Sequence, residues 1–507
     1  VSAEGVAPGI VAVVLVTVAT LAIGTWGLRF SRTTSDFMVA SRRVRPGLNA
    51  SAISGEYLSA ASFLGIAGLV LVFGAEMLWY PIGWTAGYLV LLVLVAAPLR
   101  RSGAYTLPDF AEARLASRRV RAVCSALVLT VGWLYLLPQF QGAGVTLSVA
   151  LDAPRWVGPV VVGLVVLANV SSGGMRSITF VQAFQYWLKL TALLVPAAVL
   201  LAVWAQSGSP RPSPGLGSAD WSLPLAGGGG AGLYTTYSLI LATFLGTMGL
   251  PHVVVRFYTN PDGRDARRTT LVVLALVGAF YLLPPVYAAL GRVYAQDVDV
   301  AERRDVFVLE LPGLMVSGPL EALLTGLLTA GAFAAFLSTS SGLVVAVAGV
   351  LSQDVTGRGV SGRRLSGVTA FRLGAVVAVA VPLLIALTLP HVGVARAVGL
   401  AFAVAASTFC PLLLLGIWWR GLTAAGAVAG LVVGGLGSGL AVVWTLLPTT
   451  AGGWVEVLLA QPAAWSVPLT FLTMVAVSRA TADRVPPHAR AFLLRLHAPE
   501  TVTLSRD

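Results

Sequence analysis

The chain is 507 residues long, 57% hydrophobic and only 11% charged, which excludes a soluble globular domain and makes it a polytopic membrane protein. Its formal net charge of +12 comes from arginines dispersed among short loops, a pattern that follows from membrane topology and argues against a nucleic-acid partner. The two cysteines, Cys124 and Cys410, lie within apolar runs, so neither a disulfide framework nor a zinc site is expected and both read as small buried hydrophobes.

A bilayer core of roughly 30 Å takes about 20 helical residues. On that rule thirteen spans are expected, near 7–28, 48–72, 77–98, 123–149, 156–172, 180–204, 233–257, 268–293, 318–350, 368–388, 393–418, 421–446 and 462–479. The first has no basic stretch before it and is too long for a signal-peptide core, so it is expected to remain as a helix. Loops after the first, third, seventh and ninth spans carry Arg29, Arg32, Arg42, Arg43, Arg45, Arg100, Arg101, Arg114, Arg118, Arg119, Arg121, Arg264, Arg267, Arg268, Arg358, Arg363 and Arg364. The alternate loops hold Arg155, Arg211, Arg292, Arg303, Arg304 and Arg396. Because cytoplasmic loops are enriched in Lys and Arg, this bias places the N-terminus outside a plasma (inner) membrane and the tail, with Arg484, Arg490 and Arg495, in the cytoplasm. The outer segments 205–232 and 294–317 read as loops with at most a short helix. The expected organisation is one transmembrane domain, 1–480, and a basic tail, 481–507, that is either a surface helix or disordered.

In the second span, Ser54-Gly55-Glu56-Tyr57-Leu58-Ser59-Ala60-Ala61-Ser62 puts a glycine, a carboxylate and several hydroxyls inside a bilayer-length run. Hydrocarbon tolerates broken backbone and ionisable groups only where they line a cavity or bind something polar. Glu56 is therefore a candidate to bind a cation, carry a proton or pair with a buried base, with a purely structural ion pair as the plainer reading. In the fourth span Gln139 and Gln141, beside Pro138 and Gly142, offer amides near mid-membrane that either touch a solute or bridge helices.

Lys189, the only lysine, falls in the sixth span and shares a stripe with Gln182, Gln185 and Tyr186, so this face is expected to point into the bundle. It is a candidate to neutralise Glu56, attract an anion or act as a proton-linked gate; a side chain reaching for the interface is the alternative. The seventh span is interrupted by Gly246-Thr247-Met248-Gly249-Leu250-Pro251, with His252 beyond it and no metal-ligand spacing around that histidine. In the ninth span Ala335, Ser338 and Thr339 lie at i, i+3 and i+4 and share one face. Two hydroxyls and a freed carbonyl are the hard oxygens a dehydrated sodium ion wants; the competing reading is hydroxyls bonded to their own helix or to neighbours.

Spans 2–6 and 7–11 form two groups of five, about 48–204 and 233–418, and an odd number of spans inverts the copy. The first helix of each is expected to break, at Ser54-Gly55 and at Gly246–Pro251, and matched breaks point to a midplane binding site. No Walker loop, nucleophile elbow or Rossmann fingerprint occurs, so neither an enzyme nor an ATP-driven pump is expected, and no cofactor.

These motifs resemble the sodium/solute symporters, and among them the cation/acetate (monocarboxylate) permeases. The resemblance covers nearly the whole chain. Its most specific parts are Ser54 to Gly65, Gly246 to His252 with Arg256-Phe257, Val398 to Ser407, and Trp419 to Ala427. It implies an all-α membrane fold with the five-plus-five inverted repeat of the bacterial leucine transporter. It also implies a sodium site built from the carbonyls of Gly55, Leu58 and Ala335 and the side-chain oxygens of Ser338 and Thr339. Two departures accompany it. The acetate permeases tend to have apolar residues where Ser338 and Thr339 stand, and the aspartate that begins the sixth helix in proline and sugar members is Thr179 here, which speaks against a second cation there.

The expectation is a symporter that carries a small organic anion, most plausibly a short monocarboxylate such as acetate, propionate or pyruvate, inward with sodium. Ser54, Glu56, Tyr57, Ser59, Gln139, Lys189, Gly246, Thr247 and Gly249 are its candidate substrate or coupling residues. A sodium- or proton-coupled proline-type carrier is the alternative, with a solute-sensing membrane module behind it.

Overall fold

The computed structural model describes residues 3–27, 37, 39–212, 219–225, 228–295, 305–356, 366–389, 393–446 and 452–500. Every regular element among them is helical: α1 (Ala3–Gly27), α2 (Pro46–Tyr57), α3 (Ala61–Phe73), α4 (Ala75–Arg101), α5 (Leu107–Leu115), α6 (Arg118–Leu151), α7 (Val157–Gln206), α8 (Gly229–Gly249) and α9 (Pro251–Phe257). There follow α10 (Gly263–Tyr294), α11 (Phe307–Met315), α12 (Pro319–Leu351), α13 (Gly367–Thr388), α14 (Val394–Trp418), α15 (Ala424–Leu446), α16 (Gly453–Ala460), α17 (Ala463–Ala480) and α18 (Ala489–His497). Arg29, Arg32, Arg303, Arg304, Arg358, Arg363 and Arg364 of the topology argument, and parts of both long outer loops, lie outside the described residues.

Among the described residues ten helices are long and apolar enough to cross a membrane, and two bent pairs pass the same test together. Leu15, Leu164, Leu282, Leu323, Leu384 and Leu472 are exposed on the outside of the bundle, where hydrocarbon replaces water as solvent. The 50-residue α7 covers two of the expected spans and is interrupted at Gly174, whose φ of +57° and ψ of −155° are not helical. Only glycine suits that conformation against its neighbour, since a side chain there would stand 2.6 Å from the Phe37 ring. Buried from Leu328 to Leu351, α12 occupies the centre, flanked by α1, α6, α7 and α13.

Both expected breaks are present, and one is displaced. The α2–α3 pair bends by 69° and the α8–α9 pair by 44°. The second bend falls at Leu250, which is extended (φ −73°, ψ 118°) as a residue before proline is steered to be. The first lies at Leu58–Ala60 and not at Ser54-Gly55, which remain inside helix α2. Gly55 serves packing instead: a Cβ there would lie 2.1 Å from the Gln182 carbonyl oxygen of α7. Gly246 and Gly249 do the same for α8 against α14, where a Cβ would meet the carbonyls of Phe402 at 2.5 Å and Ala405 at 2.4 Å. In each expected group of five, the broken first helix thus lies backbone to backbone on the fifth.

Several loop arginines are tied down. Arg121 pairs with Asp109 at 2.7 Å, with Glu112 at 2.6 Å and with Asp354 beyond α12, and Arg114 donates to the carbonyls of Gly416, Trp419 and Arg420 at the end of α14. Residues 481–500 are fastened to the bundle at several points. Phe492 of α18 packs on Phe110 of α5, His497 on Trp418, and Glu500 accepts from the Gly263 N–H at 2.6 Å and pairs with Arg101 at 3.2 Å.

Candidate functional site

Where α2 unwinds, its carbonyls lose the amides that would have continued the helix. Two of them, Gly55 and Leu58, point at α7 and α12, and they accept hydrogen bonds from the Lys189 ammonium, at 2.7 Å for Leu58. The third acceptor of that ammonium is Ser338 Oγ, at 2.9 Å. Ser338 passes its own proton to the Ala335 carbonyl at 3.2 Å, and Thr339 donates to the Glu56 carbonyl at 2.6 Å. Gln182 Nε2 adds a bond to the Ser338 carbonyl at 2.8 Å. The structure therefore brings Gly55, Leu58, Ala335, Ser338 and Thr339 together, with the amine of Lys189 among them and fully buried.

Glu56 points elsewhere. Its carboxylate pairs with Arg256 of α9 at 2.6 Å, both side chains being buried. Arg256 also donates to Thr179 Oγ1 at 3.0 Å and to Gln182 Oε1. Gly342 of α12 makes room for this pair, since a Cβ there would lie 2.0 Å from Glu56 Oε1. Lys189 is thus not the partner of Glu56, and a guanidinium stands beside the threonine that replaces the aspartate of proline and sugar members. Below them Asn49 links α2 to the Arg256 carbonyl at 3.2 Å and to Asn260 at 2.9 Å.

On the other side of the first break an aromatic cluster gathers around Phe402 of α14. Tyr57, Trp84 and Tyr135 place their rings 6.2, 5.6 and 5.9 Å from it. Tyr57 meets Tyr88 edge-on at 4.8 Å and its hydroxyl bonds to Thr247 at 2.7 Å and to the Trp84 carbonyl at 3.2 Å, so α2, α4 and α8 share one junction. His252 lies edge-on to Tyr135 at 5.4 Å, Ser62 bonds to Tyr281 at 2.7 Å, and Gln139 accepts from the Ala60 N–H at 3.4 Å. Trp84 Nε1, Tyr88 OH, Gln139 Nε2, both ring nitrogens of His252 and the hydroxyls of Ser54 and Ser340 are buried without a protein partner. Ser59 is buried beside them in the unwound segment, whereas Gln141 turns away toward the Leu389 carbonyl.

Two cavities are lined by residues that touch this centre. One of about 230 Å³ is lined by Arg43, Arg45, Arg176 and Thr179, and the other, of about 320 Å³, by Tyr80, Asp305, Arg396 and Gln461. Thr179 holds Arg256 and Tyr80 stacks on Trp84 at 5.4 Å, so each cavity ends one side chain short of the buried polar residues.

The model of the sodium:solute symporter family matches residues 37–434. The chain belongs to that family. It is 32% identical over 506 residues to a monocarboxylic acid transporter of Corynebacterium glutamicum, covering 92% of this chain and 91% of the relative. It is 31% identical over 475 residues to the uncharacterized symporter YwcA of Bacillus subtilis, covering 89% and 90%. Among solved structures, a sodium-coupled sialic acid symporter in its substrate-bound outward-open state superposes with a TM-score of 0.70 at 14% identity, covering 93% of this chain and 98% of its own. Mhp1, a nucleobase-cation-symport-1 family transporter in a closed conformation, gives 0.56 at 13% identity, covering 90% and 98%. The fold is therefore that of this symporter group, an all-α multi-pass membrane transporter.

Two features of the site escape a reading of the sequence alone. Arg256 enters the sequence reading only within the Arg256-Phe257 pair at the end of the seventh span, where nothing local assigns it a partner. The aromatic cluster does carry a signal, because Tyr80, Trp84 and Tyr88 recur at i, i+4 and i+8 and so share one face of α4.

Proposed function

We propose that this chain is a secondary active symporter that takes a short monocarboxylate, such as acetate, propionate or pyruvate, into the cell with an inward-moving cation, sodium being the ion for which the family is named. The observation that carries the substrate class is the likeness to the Corynebacterium monocarboxylic acid transporter along 91% of its length. The chemistry around the aromatic cluster supports it. Its buried groups without protein partners include the donors Trp84 Nε1, Tyr88 OH and Gln139 Nε2, and unpaired donors in an apolar setting suit a carboxylate that brings acceptors of its own. Among the described residues the one carboxylate buried in the core, Glu56, is already neutralised by Arg256.

Alternating access follows from the two dead-end cavities. The arginine-lined one faces the cytoplasm under the positive-inside bias, and solute passes when Tyr57, Thr247 and the two unwound segments shift between openings toward either side. One cation moving with one carboxylate carries no net charge, so accumulation then rests on the cation's concentration ratio alone; each further cation per anion adds roughly 2.3 kcal/mol per 100 mV.

Uptake of labelled acetate, propionate and pyruvate into proteoliposomes, with sodium and proton gradients imposed separately, tests this reading. Accumulation above equilibrium under an inward cation gradient, inhibited by the unlabelled acids, is expected. Inhibition by proline but not by acetate would reassign the solute, and no accumulation under any gradient would remove symport.

A further inference from the structure

Four of the five oxygens that the family resemblance assigns to sodium already accept a hydrogen bond. Gly55 O, Leu58 O and Ser338 Oγ receive Lys189 Nζ, Ala335 O receives the Ser338 hydroxyl, and Thr339 spends its proton on the Glu56 carbonyl. An alkylammonium has three N–H donors and no acceptor, and here three acceptors from two helices meet it. A sodium ion added to this cluster would share its ligands with a fixed positive charge in a low-dielectric interior, where like charges at contact repel strongly. The residues present do not fit a sodium ion beside that amine. They fit the amine itself.

We propose that the ammonium of Lys189 is the resident cation of this site, covalently tethered, and that the chain takes no sodium between α2 and α12. The inference rests on the symport reading for its transport readout only. Lys189 then does by a permanent bond what a free ion does by binding: it holds the unwound carbonyls of α2 against Ser338 of α12, and it adds α7 to the same joint. Arg256 repeats the device one turn below, where its guanidinium bridges Glu56 of α2 to Thr179 and Gln182 of α7. A driving ion in this chain therefore acts somewhere other than this cluster.

The test compares wild type with Lys189→Ala in sodium chloride and in choline chloride at equal ionic strength, pH and voltage. Two signals are read: solute uptake in proteoliposomes, and thermal unfolding of the purified protein without solute. For wild type, whatever response either signal shows to the exchange of sodium for choline arises at another site and is expected to be unchanged by Ser338→Ala. For Lys189→Ala in choline, uptake is expected to fall about tenfold or more, the consequence of stripping a buried polar cluster of its partner. Sodium is then expected to restore uptake and raise the unfolding temperature saturably, because the vacated oxygens suit a small cation; ethylammonium, which replaces the missing amine, is expected to do the same. A saturable sodium requirement in wild type that Ser338→Ala abolishes would overturn the inference, as would full uptake by Lys189→Ala in choline. Should Lys189→Ala not fold, wild type and Ser338→Ala decide alone, since an equal sodium response of the two supports a tethered cation. The unfolding signal needs no solute, so sodium-specific stabilisation gained only by Lys189→Ala, without uptake of any acid, would sink the symport reading and leave this one standing.

Discussion

Glu56, Arg256 and Lys189 are three ionisable groups buried close to one another, Glu56 and Arg256 as a pair that leaves Glu56 Oε1 without a hydrogen-bond partner, and Lys189 among oxygens of α2 and α12. Breaking such a pair is costlier than never having made it, because the survivor stays charged in low dielectric. Arg256→Met is accordingly expected to lower stability by about 3–5 kcal/mol, and the double substitution Glu56→Gln, Arg256→Met by less than the sum of the singles; thermal unfolding of the four proteins in detergent closes that cycle. Gly342→Ala pushes a methyl into the Glu56 carboxylate and is expected to resemble Glu56→Gln in the same assay. Glu56 and Lys189 stand out in the sequence because charge is rare inside apolar spans. Their pairing does not, because a carboxylate on α2 can reach a base on α7 or on α9, and only the crossing of those helices selects Arg256.

The two bent pairs divide their labour between backbone freed for bonding and glycine surfaces that let helices touch. Breaks in both first helices were legible from Gly, Pro and polar residues in bilayer-length runs, and Pro251 placed the second one correctly. The first was misplaced by a few residues because Gly55, whose lack of a side chain suggests a break, is equally what allows α2 to lie on the Gln182 carbonyl. Gly55→Ala is therefore expected to act as overpacking against an unyielding backbone, at about 1–3 kcal/mol, and to reduce uptake without changing which acids compete. Tyr57→Phe keeps the ring cluster and removes only the hydroxyl that joins α2 to Thr247 of α8. It is expected to cost about 1 kcal/mol or slightly more of stability and to slow transport of all solutes alike; a selective loss for one acid would place the hydroxyl against substrate instead.

For the whole molecule, the arginine bias and the folded tail make one orientation testable. Cys124 and Cys410 are buried, so a membrane-impermeant maleimide is expected to react with Ser207→Cys in intact cells and with Asp483→Cys only after permeabilisation. The reverse pattern would invert the topology. Docking of α18 depends on pH through Glu500. Partial burial raises its carboxyl, but the Gly263 N–H and Arg101 outweigh that and hold it below the usual range. A depressed carboxylate contributes stability that is complete above its unfolded value and is lost as pH falls through the lowered folded one. Hydrogen exchange in Ala489–His497, corrected for intrinsic rates, is expected to stay protected at neutral pH and to accelerate below about pH 4.

Sequence by itself determined the membrane class, the interruption of two apolar runs and the residue types at the centre, because hydrocarbon penalises polar groups so heavily that each one left in a span is conspicuous. Tertiary structure alone decided which polar group met which. Oxygens from α2 and α12 close around whatever cation lies nearest, and that is settled by how α7 is laid against them through Gly55 and not by any local pattern. Hence a cluster that reads as a place for a mobile ion is filled, once the chain is folded, by the protein's only lysine.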